Sequence, residues 1–262
     1  MAEMWEQLRS SVRDILPPDV AEYEAEVIAA TVVTSLLAFL VMLWLVCGGK
    51  GSRGRYICLL GLSNSGKTLL FMRLVYGQFR ETQVSIKENK ANFTPKNKGK
   101  AVELVDVPGD ERVRQTVFNK YKHSLRAVVV VIDSDNFPSE VRGVTELVYD
   151  LFQEPAVVKG KVPVLMTCNK QDLSLAKNKM AVRKLLEEEI SELRVSRSAK
   201  LTSLGSKGQS QAKPLGKSGK PFEFSDLPKG VKIEFVSCSA RGRGQDGEAE
   251  LDEITSWLDQ HC

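Results

Sequence analysis

The chain has 262 residues, 27% of them charged, and a formal net charge of +4. This length and composition fit one compact domain with additional segments, and so small a charge gives little reason to expect direct nucleic-acid binding. The five cysteines form no CxxC pair and only two histidines are present, which argues against a zinc site and indicates free thiols in a reducing compartment.

An uncharged apolar run of 21 residues occupies positions 27–47. As a helix it would be about 30 Å long, which matches the hydrocarbon thickness of a bilayer. A buried core helix would carry a polar stripe, and a cleaved signal peptide would start earlier, after a basic region. We therefore predict a transmembrane helix at 27–47. Cys47, at its end, is a candidate for acylation, although an ordinary apolar role is commoner.

The charges that flank this run predict its orientation. Seven acidic and two basic residues precede it, whereas Lys50, Arg53 and Arg55 follow it without an acid. The positive-inside rule then puts residues 1–26 across the membrane as a short tail and the remainder of the chain in the cytosol. The glycine-rich residues 48–55 read as a tether between the helix and a soluble domain at 56–262.

From residue 56 onward, short apolar runs alternate with amphipathic stretches. Strands are predicted at 56–60, 101–105, 127–132, 162–167 and 231–236, with a further edge strand at 86–93. Helices are predicted at 66–76, 111–123, 139–153, 180–193 and 248–258. This alternation is typical of a three-layer α/β fold with a mostly parallel sheet.

Residues 196–230 interrupt that rhythm. Most of the segment is rich in serine, glycine and lysine and poor in large apolar side chains. It would bury too little surface to offset its loss of conformational entropy, so we predict a mobile surface insertion. Its lysines suit acidic lipid or RNA, but a solvated loop is the simpler interpretation.

The strongest motif follows the first predicted strand and opens a helix, the context that a GxxxxGK[ST] phosphate-binding loop requires. Its backbone amides would surround phosphate, Lys67 would supply a positive charge, and the Thr68 hydroxyl would bind Mg²⁺. The predicted nucleotide-binding residues of this loop are Gly61, Leu62, Ser63, Asn64, Ser65, Gly66, Lys67 and Thr68.

A second motif, DVPG, ends the strand at 101–105. Ligands bind at the carboxyl ends of the strands in open α/β sheets, so Asp106 is placed to hold Mg²⁺. The amide of Gly109 is placed to meet a γ-phosphate. Taken alone this motif is weak, because acidic residues end many strands.

Two further motifs predict guanine recognition. In NKQD (169–172), the Asp172 carboxylate would accept both adjacent donors of guanine, which adenine lacks, so the pair would discriminate strongly. Asn169 would meet the base and brace the phosphate loop, and the Lys170 stem would pack on the ring. In SCSA (237–240), Ser239 and the amide of Ala240 complete the predicted site, with the amide on guanine O6.

These four motifs, in this order, are those of Ras-like GTPases, which the chain resembles from about residue 55 to 262 outside the insertion. Within that superfamily it resembles the family of signal recognition particle receptor beta subunits, which is close to the ADP-ribosylation factor group. The resemblance is carried by the apolar anchor and by the segments GLSNSGKT, RETQVSI, VDVPG and PFEFSDLPKGVKIEFVSCSA.

The resemblance implies a P-loop GTPase fold that binds GTP and Mg²⁺ and sits in the endoplasmic reticulum membrane as a single-pass protein with a lumenal N-terminus. It also implies that the GTP form binds the receptor's alpha subunit through switch regions near 80–90 and 106–118. Ribosome and translocon would be reached indirectly, in co-translational targeting. The alternatives are a GTPase that cycles in vesicle trafficking, a P-loop kinase or ATPase, and a tether whose nucleotide only stabilises the fold.

Two positions depart from the Ras-like pattern. Asp110 stands where a glutamine usually orients the attacking water, and a carboxylate beside a γ-phosphate is electrostatically unfavourable. We therefore place Asp110 at the catalytic position and predict slow intrinsic hydrolysis. The first-switch residue that completes the Mg²⁺ site is Thr82 or Ser85, and Ser85 is favoured by its spacing from Asp106.

Overall fold

The structure, a computed structural model, describes residues 6–7, 24–47, 54–96, 101–203, 215–217, 219–243 and 247–262. The chain divides into two compact units, Met1–Ser52 and Arg53–Cys262. Cys47 ends one of these ranges, and residues 48–53 of the predicted tether at 48–55 lie outside the described residues.

The first unit contains one long helix, α1 (Glu24–Cys47), which includes the apolar run. Along its middle, large apolar side chains such as Leu36, Phe39 and Met42 are more than half exposed. Side chains of α1 are described for residues 29–42. A search limited to the described residues finds no helix that is long and apolar enough to cross a membrane.

The second unit alternates strands and helices as predicted. Its strands are β1 (Tyr56–Leu60), β2 (Asn89–Phe93), β3 (Val102–Asp106), β4 (Leu125–Asp133), β5 (Val164–Asn169) and β6 (Ile233–Ser237). Its helices are α2 (Lys67–Tyr76), α3 (Glu111–Tyr121), α4 (Phe137–Gln153), α5 (Pro155–Val158), α6 (Lys179–Ser203) and α7 (Asp252–His261).

The six strands form one sheet in the order β2-β3-β1-β4-β5-β6. All neighbours are parallel except β2, which runs antiparallel to β3 at the edge. The predicted edge strand is thus confirmed, although it begins at Asn89. Registers Leu59 with Asp106 and Asp133 with Asn169 bring the carboxyl ends of the central strands to one edge.

In the central strands, successive side chains enter different cores, as the two-residue repeat of a strand requires. In β1, Cys58 and Leu60 belong to the core beneath α3, α4 and α6, whereas Ile57 and Leu59 belong to the core beneath α2 and α7. Helices therefore cover both faces of the sheet. The Ras-like three-layer α/β fold predicted from the sequence is present.

The predicted insertion at 196–230 is too wide. Helix α6 continues to Ser203, well past the predicted end at 193, so the first eight residues of that segment are helical. At its far end Phe222 and Phe224 are buried, with ring centroids 5.3 Å apart. The apolar residues of PFEF complete the core beside α4 and α6, which the high serine and lysine content of the preceding stretch obscures. Residues 204–214 lie outside the described residues.

Candidate functional site

The phosphate loop connects β1 to α2 and depends on two glycines. Gly61 has φ +147° and Gly66 has φ +89°, values that side chains disfavour. A Cβ on Gly61 would lie 2.3 Å from the Val131 carbonyl oxygen, and one on Gly66 would lie 2.3 Å from Asn169 Nδ2. The loop can therefore close only without side chains at these positions.

Lys67, the first residue of α2, folds back over this loop. Its Nζ donates to the carbonyl oxygen of Leu62 at 2.6 Å, and the side chain is buried. Burial lowers the pKa of Lys67 to about 8, although nearby Asp106 opposes the shift. A poorly solvated ammonium held above a glycine-rich turn is ready to bind phosphate.

Asp106, at the carboxyl end of β3, is fully buried. Its Oδ2 accepts hydrogen bonds from Thr68 Oγ1 at 2.9 Å and from Asn89 Nδ2 at 3.0 Å. Ser85 Oγ lies 3.0 Å from Thr68 Oγ1. Burial raises the pKa of Asp106, and the bonds from Asn89 and Thr68 oppose the rise. The predicted metal residues Thr68, Ser85 and Asp106 are therefore brought together.

The chemistry of this cluster fits Mg²⁺. Asp106 Oδ1 is buried and has no hydrogen-bond partner among the described residues, so one carboxylate oxygen is left for a cation. The other side-chain donors are hydroxyl oxygens, and Mg²⁺ prefers oxygen ligands with substrate phosphates and water completing its shell. The described residues contain no cluster of three or more His, Cys, Asp or Glu side chains that could hold a metal.

The DVPG turn places Gly109 against the phosphate loop, where a Cβ would lie 2.5 Å from the backbone nitrogen of Ser63. The next residue, Asp110, is the N-cap of α3. Its Oδ1 accepts from the amides of Arg112 at 3.1 Å and Val113 at 3.2 Å. The carboxylate at the usual glutamine position is thus a helix cap, a role that the sequence analysis did not assign to it.

Asn169 joins the loops that follow β1, β5 and β6. Its Nδ2 donates to the carbonyl oxygen of Ser65 at 2.9 Å, and its Oδ1 accepts from the Ala240 amide at 3.0 Å. The bracing of the phosphate loop by Asn169 is present, as predicted. The Ala240 amide, for which we predicted a contact with guanine O6, donates to Asn169 in this structure.

The remaining residues that we predicted to recognise the base lie beside Asn169. Ser239 Oγ donates to Asp172 Oδ1 at 2.6 Å and so fixes one oxygen of that carboxylate. Lys170 has φ +65°.

A cavity of about 230 Å³ is lined by Asn169, Lys170, Asp172, Ala240 and their neighbours. A second cavity, of about 290 Å³, is lined by the phosphate loop, Gly109 and residues 82–85. Gly66 and Lys170 line both.

Three residues of the site were missed by the sequence analysis. Asp133, at the carboxyl end of β4, forms an ion pair with Lys170, and its place at a strand end was an available signal. Asn89 bonds to Asp106 from the edge strand. Arg73, in α2, donates to the carbonyl oxygens of Ala240 at 3.1 Å, Arg241 at 3.2 Å and Gly247 at 3.1 Å, and no local pattern marks it.

The family model of the signal recognition particle receptor beta subunit matches residues 52–231. The chain belongs to this family. The receptor beta subunit of Mus musculus is 41% identical over 232 residues, which cover 87% of this chain and 85% of the mouse protein. A chain of the mammalian signal recognition particle receptor structure is 38% identical, with a TM-score of 0.68 and coverage of 79% of this chain and all of that one.

Two further kinds of match are more distant. A Chaetomium thermophilum structure, described as a complex of the receptor beta subunit with GTP and SRX, has a TM-score of 0.62 at 18% identity and covers 79% of this chain and all of its own. At that identity it shows the fold alone. Matches to the ADP-ribosylation factor group extend over about half of the chain, so the vesicle-trafficking alternative is not favoured over the receptor beta subunit family.

Proposed function

We propose that this protein is the membrane-anchored, GTP-binding beta-type subunit of a signal recognition particle receptor, and that its GTP form binds the receptor's alpha subunit. The observation that carries the nucleotide part is the network centred on Asn169. That one side chain bonds to both the phosphate loop and the loop that carries Ala240, so the phosphate and base halves of the site are held as a single unit.

The base half supports guanine. Ser239 orients the Asp172 carboxylate, which lines the cavity beside Asn169 and Lys170. A carboxylate accepts two adjacent donors at once, and guanine offers such a pair through N1–H and its 2-amino group. Adenine would leave this carboxylate unpaired, at a large cost in affinity.

The phosphate half supports a triphosphate with Mg²⁺. Thr68, Ser85 and Asp106 would hold the cation, which would neutralise charge on the phosphates. Lys67 would contact the phosphates directly. Of the two candidate switch residues, Ser85 is favoured because its hydroxyl lies 3.0 Å from Thr68 Oγ1, whereas Thr82 only lines the cavity.

The partner half of the proposal concerns the surface around this cavity. Val84 is 58% exposed and Ile86 is 82% exposed, beside the Ser85 hydroxyl that would sense the γ-phosphate. Exposed apolar side chains next to a ligand-sensing residue suit a surface ordered by GTP and covered by a partner. The SRX chain named in the Chaetomium thermophilum complex is the precedent for such a partner.

Slow hydrolysis and a GTP-loaded resting state complete the nucleotide proposal. The Asp110 carboxylate is committed to the amides of Arg112 and Val113 and carries negative charge where a neutral glutamine would orient water. A binding switch rather than a rapidly cycling enzyme is the expected behaviour.

The anchor is proposed at residues 27–47, in the endoplasmic reticulum membrane, with residues 1–26 lumenal and the GTPase domain cytosolic. Support comes from the uncharged run of 21 residues, from its helical backbone within α1, and from its exposed apolar side chains.

Protease treatment of sealed microsomes containing the full chain should digest the GTPase domain and leave a short protected N-terminal fragment. Digestion of the N-terminal tail from outside would contradict this topology.

One preparation tests the nucleotide and partner proposals together. The full chain is purified in detergent, the co-purified nucleotide is identified, and alpha-subunit binding is measured after loading with GTP or GDP. Bound guanine nucleotide and GTP-selective binding are expected. Equal binding in both states would support the tether alternative, and rapid conversion of GTP without a partner would contradict slow hydrolysis.

A further inference from the structure

The amino-terminal edge of the sheet, opposite to the nucleotide site, carries four lysines that the proposed GTPase function does not use. Lys159 and Lys161 lie in the turn before β5, and Lys229 and Lys232 lie in the turn before β6. All four are exposed. We call these four residues the basic edge.

The two turns of the basic edge are in contact. The Val164 amide donates to the carbonyl oxygen of Lys232 at 2.9 Å, and a Cβ on Gly230 would lie 2.8 Å from Lys161 Cδ. Since β5 and β6 are neighbours in the sheet, and adjacent strands lie about 4.8 Å apart, four positive charges share a small surface.

Within the described part of the chain, no carboxylate forms an ion pair with these lysines. Two carboxylates near this edge lie against other groups than these lysines: Glu154 pairs with Lys122 at 3.1 Å, and Glu234 lies 3.7 Å from Nε2 of His261, which is charged only when protonated. The basic edge is therefore free to attract an anionic surface.

The covalent path of the chain suggests which surface that is. Strand β1 starts at Tyr56 on this same edge, beside the start of β4, where the Arg55 amide donates to Ser124 at 2.8 Å. Only residues 48–55 separate it from the end of the proposed anchor, and eight residues span at most about 28 Å. With the anchor in the bilayer as proposed, the start of β1 stays within about 28 Å of the end of the anchor, whereas the nucleotide site lies at the other end of the strands.

We propose that the basic edge docks on anionic lipid headgroups of the membrane that holds the anchor. This inference rests on the anchoring proposed above. The turns 159–163 and 228–232 contain no aromatic residue, so they lack the stacking groups with which proteins hold single-stranded RNA. Docking in this orientation leaves the nucleotide site and residues 80–90 available to a partner.

Lysine footprinting of the full chain tests the proposal. The chain is reconstituted into nanodiscs of phosphatidylcholine alone or with added phosphatidylserine, then treated with an amine-reactive label and analysed by mass spectrometry. We expect labelling at the basic edge to slow about fivefold in anionic discs, the effect of about 1 kcal/mol per lysine near such a surface. Lys177 and Lys184, on other surfaces, should label equally in both discs. Because salt screens exposed charges, molar salt should abolish the difference.

Charge reversal gives the matched control. The double variant Lys229→Glu/Lys232→Glu should label equally at Lys159 and Lys161 in the two discs, whereas Lys184→Glu should behave as the unchanged chain. Failure of the chain to co-elute with either disc would overturn the anchoring and this inference with it. Co-elution with both discs but equal labelling would overturn the docking alone. Protection by an RNA oligonucleotide on neutral discs, without protection by anionic discs, would overturn the lipid assignment.

Discussion

The phosphate loop and the segment 78–87 face the same cavity but are built differently. The loop holds buried Ser65 and Lys67 and is bonded to Asn169 from another strand. In the segment, every residue except Ser85 is exposed, and the Ser85 hydroxyl reaches Thr68. A preformed loop can bind phosphate without rearranging, whereas an exposed segment that is linked to the site through the Ser85 hydroxyl can change its conformation with the ligand.

Gly66→Ala should have the largest effect, because it breaks the preformed part. The new methyl group would meet Asn169 Nδ2 at a backbone φ of +89°, so both strain and a lost hydrogen bond are expected, and GTP affinity should fall about a thousandfold. Isothermal titration of the full chain checks this. Gly77→Ala is the matched control, since its φ is +67° but nothing lies within 4 Å of its Cβ. An equal loss in both variants would contradict the contact with Asn169.

Asp172→Asn should be next in magnitude. An amide at this position offers a donor where guanine also offers donors, so GTP affinity should fall about a hundredfold. Affinity for xanthosine triphosphate should rise, because xanthine has a carbonyl oxygen in place of the amino group. Gln171→Ala, one residue earlier, should change neither value. Competition binding with both nucleotides measures the exchange, and an unchanged preference would show that another group selects the base.

Ser85→Ala tests the hydroxyl contact between the exposed segment and Thr68. Removing the hydroxyl beside Thr68 should weaken Mg²⁺-dependent GTP affinity about tenfold and reduce GTP-selective alpha-subunit binding. Thr82→Ala should have little effect, although Thr82 lines the same cavity. Titration with and without Mg²⁺ separates the two residues. A larger loss for Thr82→Ala would reverse the assignment of the switch residue.

Arg73→Gln should act more mildly, on the rate of nucleotide release. Arg73 holds three carbonyl groups of the segment 240–247, and its loss should speed GTP dissociation about fivefold by loosening the loop that meets Asn169. Arg73→Lys should be intermediate, because a lysine cannot serve three acceptors with the same geometry. Arg142→Gln, on an exposed face of α4, is the control. Release from Arg73→Gln no faster than from this control would contradict a positioning role.

Asp110→Ala should have the smallest effect on nucleotide affinity and a measurable one on stability. Loss of the N-cap of α3 should lower the free energy of unfolding by about 1 kcal/mol. Asp110→Asn keeps the capping ability without the charge, so it should preserve stability. Because the negative charge of Asp110 is expected to slow hydrolysis, Asp110→Asn should also speed single-turnover hydrolysis. Thermal denaturation and phosphate release measure the two properties, and an unchanged stability of Asp110→Ala would contradict the capping role.

The sequence predicted the parts of the site whose chemistry is local. The phosphate loop, Asp106, Asn169 and Asp172 lie within short motifs, and each motif follows a strand, so strand order alone brings them together. Asn89 and Arg73 were not predicted, because their partners are 17 and more than 160 residues away. Only the folded chain shows that a helix residue reaches the loop after β6.

Predictions of the secondary structure also succeeded where the signal is local and failed where it depends on distant contacts. Central strands and helices were predicted within a few residues, since continuous apolar runs mark buried parallel strands. The end of α6 was not, because residues 194–203 carry no apolar face that would distinguish a helix from a loop. The burial of Phe222 and Phe224 depends on contacts with α4 and α6, which a reading of local composition does not include.

The bridging position of Asn169 has a practical consequence for engineering. A variant made to accept an unnatural nucleotide has to change base preference without weakening the grip on phosphate. Changes at Asn169 would alter both together, because its amide bonds to Ser65 as well as to Ala240. Asp172 is bound on the base side only, through Ser239. An unnatural nucleotide is therefore best paired with a substitution at Asp172. Asn169 is then left unchanged, because it links the phosphate loop to the loop that carries Ala240.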